Sequence, residues 1–272
     1  FFDLAKEGKD FYMFAPHTVK QEYGVTLDDI DIEKYYDELV ANPNVLKKKK
    51  DAREMLNMIA QTQLQSGYPY LMFKDNANKV HANSNIGQIK MSNLCTEIFQ
   101  LQETSIINDY GIEDEIKRDI SCNLGSLNIV NVMETGKFRD SVHTGMDALT
   151  VVSDEANIQN APGVKKANNE LHSVGLGVMN LHGYLAKNKI GYESEEAKDF
   201  ANIFFMMMNY YSIERSMEIA KERGEAYQDF DKSDYASGKY FDFYTSQEFV
   251  PQFEKVKELF ANMHIPTSED WK

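Results

Sequence analysis

The segment Asn93-Leu94-Cys95-Thr96-Glu97 places a thiol between an amide and a carboxylate at alternate positions. If the segment is extended, alternate residues point to one face, so Asn93, Cys95 and Glu97 converge while Leu94 and Thr96 face away. A carboxylate beside a thiol disfavours the thiolate through like-charge repulsion, which does not suit a nucleophilic cysteine. The pattern predicts a neutral S–H for hydrogen-atom chemistry, with the carboxylate as general base and the amide orienting a substrate hydroxyl.

Other interpretations of the cysteines remain open from the residues alone. Cys95 by itself is compatible with an ordinary buried cysteine, and Cys122 is equally well explained as a core residue. A thiol hydrolase would need a histidine near the sulfur, and the closest one upstream in sequence is His81, well outside the segment. The six histidines show no tight metal-ligand spacing, so no metal site is predicted.

The elements that must position these residues alternate between helix and strand patterns, which predicts an α/β fold without an internal domain boundary. Strands are predicted at residues 68–73, 87–93 and 120–132. Helices are predicted at residues 29–41, 45–65 (closed by Gly67), 138–159, 168–187, 195–223 (closed by Gly224) and 251–263, with residues 227–249 irregular.

Three local patterns suggest special sites but have simpler explanations. The run Lys47–Lys50 favours a solvated helix face over a phosphate clamp. Met206–Met208 lie in an apolar helical segment, which favours core packing over soft-metal binding. Gly175–Val178 lack the third glycine of a dinucleotide loop, so small residues that allow close helix packing are the better interpretation.

Composition limits the partners and the compartment. A net charge of −14 argues against a surface that binds a nucleic-acid backbone. Two cysteines make no disulfide framework, and neither a secretory signal nor a long apolar window is visible, so a cytoplasmic location without membrane contact is expected. The chain opens at Phe1 with a pattern typical of a domain interior, which suggests a piece of a longer protein.

Longer motifs resemble the large subunit of class I ribonucleotide reductases, most closely the class Ib form. They are N-S-N-I-G-Q-I-K-M-S-N-L-C-T-E at residues 83–97, S-C-N-L-G-S-L-N at 121–128, the opening F-F-D-L-A-K-E-G-K-D-F-Y, Y-P-Y-L-M-F-K-D at 68–75 and N-E-L-H-S-V-G-L-G-V-M-N-L-H-G-Y-L-A-K at 169–187. The resemblance covers essentially the whole chain. It implies part of a ten-stranded α/β barrel made of two half-barrels around a central active-site loop, with residues 1–272 forming a single incomplete catalytic barrel domain that continues beyond both ends.

The resemblance also implies roles for individual residues. Cys95 would form the transient thiyl radical that abstracts hydrogen from C3′ of a ribonucleoside diphosphate. Glu97 would deprotonate the 3′ hydroxyl, Asn93 would hydrogen-bond to the sugar, and the backbone of Leu94 and Thr96 would line the pocket. Cys122 would be one half of the dithiol that reduces C2′ and ends as a disulfide, with its partner cysteine N-terminal to Phe1.

Partners follow from the same resemblance. The chain would bind no cofactor itself, while a small subunit would carry a dimanganese or diiron tyrosyl-radical cofactor. Further partners would be the remaining large-subunit segments, a thioredoxin- or glutaredoxin-type reductant and a second large subunit, with dNTP or ATP effectors bound elsewhere. Alone, the chain is expected to be catalytically silent. The alternatives are a noncatalytic reductase-like assembly or regulatory module and, among radical enzymes, a glycyl-radical reductase, against which Glu97 counts. Glu97 points to class I or class II, and the choice of class I rests on the overall resemblance.

Overall fold

Helices dominate the structure, and four short strands pair in two separate sheets. The computed structural model describes residues 1–272, which fall into two units, Phe1–Met72 (unit 1) and Phe73–Lys272 (unit 2). Each unit has its own cluster of buried apolar side chains. The α/β class predicted from the alternation is confirmed, whereas the ten strands of a closed barrel stay a prediction.

Unit 1 contains a two-stranded antiparallel sheet surrounded by helices. Its elements are α1 (Phe2–Glu7), β1 (Asp10–Phe14), α2 (Pro16–Tyr23), α3 (Ile32–Ala41), β2 (Lys47–Asp51) and α4 (Ala52–Ser66). Its cluster of buried apolar residues is small and consists of Val19, Ile30, Leu39 and Val45. The predictions of α3 and of the Gly67 helix end are confirmed, since Gly67 adopts the left-handed conformation at φ 77°.

The lysine run was wrongly predicted to lie on a helix. Lys47–Lys50 belong to β2, which pairs with β1 in a register from Asp10 opposite Asp51 to Phe14 opposite Lys47. Lys49 forms an ion pair with Asp10 at 2.5 Å. The helix cannot begin earlier because Asp51 is its N-cap, with a side chain that accepts a hydrogen bond from the Glu54 amide.

Unit 2 holds both cysteines and a parallel pair of strands. Its elements are α5 (Lys74–Val80), β3 (Asn123–Asn128), α6 (Ile129–Thr135), α7 (Phe138–Glu155), α8 (Pro162–Leu171), β4 (Val174–Met179), α9 (Leu181–Lys187), α10 (Glu195–Arg223), α11 (Asp234–Ser237), α12 (Asp242–Thr245) and α13 (Glu254–Phe260). β3 pairs with β4 from Asn123 opposite Val174 to Asn128 opposite Met179. Parallel strands need a long crossover connection, which α6, α7 and α8 provide.

Two predicted elements in unit 2 have different boundaries in the structure. The strand predicted over residues 120–132 ends at Asn128, whose side chain accepts from the Val130 amide and begins α6. The helix predicted over residues 168–187 is interrupted by β4. The glycines of that segment therefore serve strand pairing rather than helix packing: a Cβ on Gly175 would lie 2.6 Å from Leu124 Cδ2.

Two predicted strands do not form. Residues 68–73 have no strand partner, and Pro69 has no backbone N–H to donate. Residues 87–93 are likewise outside both sheets, because side-chain amides, described below, take up part of their backbone hydrogen bonding. A β-type pattern alone does not make a strand, because strand formation needs a neighbouring strand.

The main core of unit 2 surrounds α10, whose predicted span and Gly224 end are confirmed. Met206, Met207 and Met208 are 4%, 0% and 7% exposed, so their predicted core role is also confirmed. The predicted helices at residues 138–159 and 251–263 correspond to α7 and α13. The segment expected to be irregular contains short helical turns between Phe230 and Thr245. None of the helices has the length and apolarity required to cross a membrane.

Candidate active site

The cysteine-bearing segment is a closed loop rather than an extended strand. At its base, Ser92 Oγ donates to the Ile98 carbonyl at 2.7 Å. Asn93 Oδ1 accepts from the amides of Glu97 and Ile98 at 3.2 and 3.1 Å and from Ser92 Oγ at 3.2 Å. One carboxamide oxygen thus gathers several donors and holds the two ends of the loop together.

Within this loop the chain makes a tight turn. The Thr96 amide donates to the Asn93 carbonyl at 3.0 Å, and Thr96 has φ 60°, a left-handed conformation that is strained for a β-branched residue. The prediction that Asn93, Cys95 and Glu97 point to one face assumed an extended segment. That assumption is wrong here, because the segment turns and side chains alternate only in extended chain.

The turn presents its tip to the outside of unit 2. Cys95 and Glu97 are exposed and Leu94 is 76% exposed, whereas Asn93 and Thr96 are half-buried. The Asn93 side chain was predicted to face a substrate. Its Oδ1 atom accepts hydrogen bonds from backbone amides within the loop itself. Its Nδ2 group makes no hydrogen bond within the chain.

Glu97 and Cys122 are brought together from separate segments. Cys122 is half-buried and directly precedes β3. Burial raises the pKa of the Cys122 thiol above its ordinary value, and the nearby negative charge of Glu97 raises it further. The sulfur also lies against β4, since a Cβ on Gly175 would be 3.2 Å from Cys122 Sγ. Burial and the Glu97 charge therefore both favour the neutral form of the Cys122 thiol.

The stem of the loop is fastened by two buried or half-buried side-chain amides. Gln102, 7% exposed, accepts from the amides of Lys90 and Met91 through Oε1 and donates to the Met91 carbonyl through Nε2. Asn78 in α5 bonds in the same two-sided way to the Ile89 backbone at 2.8 and 2.9 Å. These side-chain hydrogen bonds take the place of the backbone hydrogen bonds that a neighbouring strand would make.

A second polar network was missed by sequence reasoning. Gln100 bonds to the backbone of Ser121, and Ser121 Oγ donates to Asn168 Oδ1 at 3.0 Å. Asn168 is 1% exposed and also accepts from Ser153 Oγ and from Asn123 Nδ2. The only sequence signal was glutamine in the otherwise apolar run Ile98–Leu101, which does not by itself reveal a partner.

One group of side chains has the composition of a metal site. Ligand atoms of His143, Glu214 and Glu218 lie within 4.8 Å of one another between α7 and α10. Arg139 pairs with both glutamates at 2.8 and 3.1 Å, and Arg215 pairs with Glu218 at 3.1 Å. Two guanidinium groups already balance the carboxylates, so the arrangement fits an ion-pair network between helices better than a cation site.

The fold and the loop can be compared with known proteins. The family model described as the ribonucleotide reductase barrel domain matches residues 1–272. The chain is 54% identical over its full length to the ribonucleoside-diphosphate reductase subunit alpha of Bacillus subtilis, of which it covers 39%. It is 42% identical over its full length to the corresponding subunit of Mycoplasma pneumoniae, covering 38% of that protein.

A solved structure shows the same fold at lower sequence identity. The class Id ribonucleotide reductase alpha subunit of Actinobacillus ureae superposes with a TM-score of 0.55 at 23% identity, over 71% of this chain and 35% of that one. The chain belongs to the ribonucleotide reductase large-subunit family, and the resemblance seen in the motifs is confirmed. The chain spans about two fifths of the length of each of these two curated relatives.

Proposed function

We propose that this chain supplies the radical cysteine and one reducing thiol of a ribonucleoside-diphosphate reductase large subunit. The observation that carries the proposal is that the chain following the Cys95 loop is hydrogen-bonded, through Gln100, to Ser121 next to Cys122. A hydrogen-atom donor must keep its proton, and burial together with the Glu97 charge favours the protonated form of Cys122.

The proposed roles divide the chemistry among four residues. The Cys95 thiyl radical abstracts the hydrogen atom from C3′ of the ribonucleoside diphosphate, and Glu97 accepts the proton of the 3′ hydroxyl. Cys122 and a second cysteine reduce C2′ and become a disulfide. Asn93 donates a hydrogen bond from Nδ2 to the sugar. This role is supported by the engagement of Asn93 Oδ1 within the loop, which leaves the Nδ2 group for the substrate. The backbone of Leu94 and Thr96 borders the substrate.

The barrel and the single-domain organisation belong to the same proposal. The family model covers both units, which supports one barrel domain. β3 and β4 form only a two-stranded parallel sheet, and Leu124 and Met179 on it are 60% and 51% exposed. Parallel sheets are usually covered on both faces, so we propose that further strands and helices of the large subunit complete the barrel.

The proposed assembly is of class Ib type. Its partners are a second large subunit, a thioredoxin- or glutaredoxin-type reductant and a small subunit with a dimanganese or diiron tyrosyl-radical cofactor. Effector nucleotides (dNTP or ATP) bind outside this chain. A cytoplasmic location is supported by the two cysteines, both of which are free thiols.

Reconstitution tests the function. The chain is combined with the remaining large-subunit segments, the small subunit and a dithiol reductant, and deoxyribonucleotide formation is measured. Cys95→Ser should abolish the product, since a hydroxyl is a far poorer hydrogen-atom partner, and Cys122→Ser should abolish reductant-dependent turnover. Unchanged reduction in Cys95→Ser would reject the proposal and favour the noncatalytic module. Circular dichroism of both variants checks that the fold is kept.

A further inference from the structure

A side-chain amide connects the two cysteine-bearing segments. Gln100 Nε2 donates to the Ser121 carbonyl at 2.6 Å, and the Ser121 amide donates to Gln100 Oε1 at 3.1 Å. Both polar atoms of one carboxamide are thus matched to both polar groups of one backbone residue. Two hydrogen bonds fix the orientation of Ser121 relative to Gln100 as well as their distance, because rotation about either bond would break the other.

Each end of this connection is anchored. Gln100 lies two residues after Ile98, where the closed loop ends, and its neighbour Leu101 is 1% exposed. Ser121 is 4% exposed and donates through Oγ to Asn168, which is itself buried. The hydrogen bonds between Gln100 and Ser121 therefore join the chain that follows the Cys95 loop to the buried polar network around Asn168.

The bridged residue immediately precedes Cys122. Ser121 sets the path of the backbone into β3, and Cys122 Sγ lies in a narrow space against Gly175. A shift of Ser121 away from Gln100 would move the sulfur relative to the loop that carries Cys95 and Glu97. Gln100 contacts neither sulfur in any of its hydrogen bonds, so its influence acts through Ser121.

We propose that Gln100 is a positioning residue that fixes Cys122 relative to the Cys95 loop. This inference rests on the proposed function, in which the two thiols act on adjacent carbons of one sugar. Adjacent-carbon chemistry needs both sulfurs at set places, and a displacement of about 1 Å in such a site can cost roughly a hundredfold in rate. Both halves of the carboxamide are engaged, so Gln100→Met, which keeps the length of the side chain and its neutral charge, removes both bonds.

The first experiment uses thiol chemistry and needs no catalytic activity. The chain has only two cysteines, so alkylation by iodoacetamide, followed by peptide mass spectrometry, reports each thiol separately. Cys95 is exposed and serves as the internal reference. In Gln100→Ala, loss of both bonds should raise the alkylation rate of Cys122 relative to Cys95 about tenfold, and the neutral Gln100→Met should raise it similarly. The exposed Gln159→Ala is the matched control and should leave the ratio unchanged.

The second experiment measures turnover in the reconstituted assembly. Gln100→Ala should lower kcat at least about tenfold while KM stays within about twofold, because substrate contacts are kept and thiol placement is lost. Gln100→Met should have the same effect as Gln100→Ala, because it also lacks both bonds. If Gln100→Ala fails the circular dichroism check, Gln100→Met carries both comparisons.

The outcomes separate this inference from the proposed function. An unchanged Cys122-to-Cys95 alkylation ratio in the Gln100 variants would overturn the positioning role, whatever the turnover shows. Activity retained in Cys95→Ser would overturn the proposed function, while a raised alkylation ratio would still show that Gln100 holds Cys122. A KM effect with unchanged kcat would place Gln100 in substrate binding and would also overturn the inference.

Discussion

At the scale of single residues, Asn93 has a structural role in the candidate site besides its predicted hydrogen bond to the substrate. Its Oδ1 accepts the Glu97 and Ile98 amides, so the carboxamide acts as a template for the turn that exposes Cys95. Thr96 tolerates φ 60° within this turn because the surrounding bonds hold it there. A residue expected only to bind substrate thus also builds the loop.

Substitution of Asn93 separates these two roles. Asn93→Ala removes the shared acceptor, so the Glu97 and Ile98 amides should exchange with solvent about tenfold faster. Asn93→Asp keeps an acceptor oxygen and should retain amide protection, while the loss of Nδ2 should raise KM for the nucleotide. Hydrogen exchange read by NMR measures the first effect and steady-state kinetics the second. Equal protection in Asn93→Ala and in the unmodified chain would contradict the template role; Asn160→Ala, at an exposed position, is the control.

The titration of Cys122 should respond to Glu97. Burial is the main cause of its raised pKa and the Glu97 charge is the second, so Glu97→Gln should lower the pKa but leave it above the ordinary thiol value. The pH dependence of Cys122 alkylation measures this shift. A pKa raised by folding means that this contribution to stability is fully present below the unfolded-state pKa and is lost as pH rises through the folded-state pKa.

The control for this titration is Glu113→Gln, which removes one negative charge from an exposed position in the same unit. It should leave the pH profile of Cys122 in place. A profile that does not move in Glu97→Gln would show that the Glu97 charge does not reach Cys122.

At the scale of elements, a buried polar network ties the strand that follows Cys122 to two helices. Asn168 in α8 accepts from Ser121 and from Asn123 in β3, and it both accepts from and donates to Ser153 in α7. These bonds align the start of β3 with the crossover helices that make the parallel pairing possible. Placement of Cys122 is thus a property of several elements.

Asn168→Ala tests the energetic weight of this network. Removing the carboxamide leaves the buried hydroxyls of Ser121 and Ser153 without their acceptor, which should cost about 3 kcal/mol of unfolding free energy. Urea denaturation measures the change. The exposed Asn160→Ala should cost less than about 0.5 kcal/mol. A loss at Asn168 as small as that of the control would mean that water or rearranged bonds satisfy the hydroxyls.

At the scale of the whole molecule, the two units differ greatly in the size of their cores. Unit 1 has four buried residues in its apolar cluster, whereas that of unit 2 surrounds the long helix α10 and includes Trp271. A domain with so small a core is marginal by itself, because apolar burial must offset the conformational entropy of the whole segment. Unit 1 should therefore be the less stable of the two units by itself.

The single-domain proposal predicts one cooperative unfolding transition. Trp271, the single tryptophan, reports on unit 2, whereas far-UV circular dichroism reports on both units. Leu39→Ala in the core of unit 1 should cost about 2–5 kcal/mol and shift the Trp271 fluorescence transition together with the dichroism signal. Leu64→Ala, at a side chain that is 89% exposed, should shift neither appreciably. Two separate transitions, with only one moved by Leu39→Ala, would contradict the single-domain proposal.

The sequence by itself determined the elements whose signals are local. The span of α10 and the ends at Gly67 and Gly224 follow from helical periodicity and from glycine in the left-handed conformation. The candidate residues also came from sequence, because Asn93, Cys95, Glu97 and Cys122 lie in motifs shared with a family to which the whole chain belongs.

Only the tertiary structure decided the features that need partners distant in sequence. Lys47–Lys50 form a strand because β1 lies beside them, whereas residues 87–93 form none because side-chain amides take the place of a neighbouring strand. The turn at Thr96 and the bridge from Gln100 to Ser121 depend on hydrogen bonds that no periodicity reveals. Local propensity specifies a helix and its caps, but a strand, a strained turn or a shared site exists only where a second segment supplies the bonds.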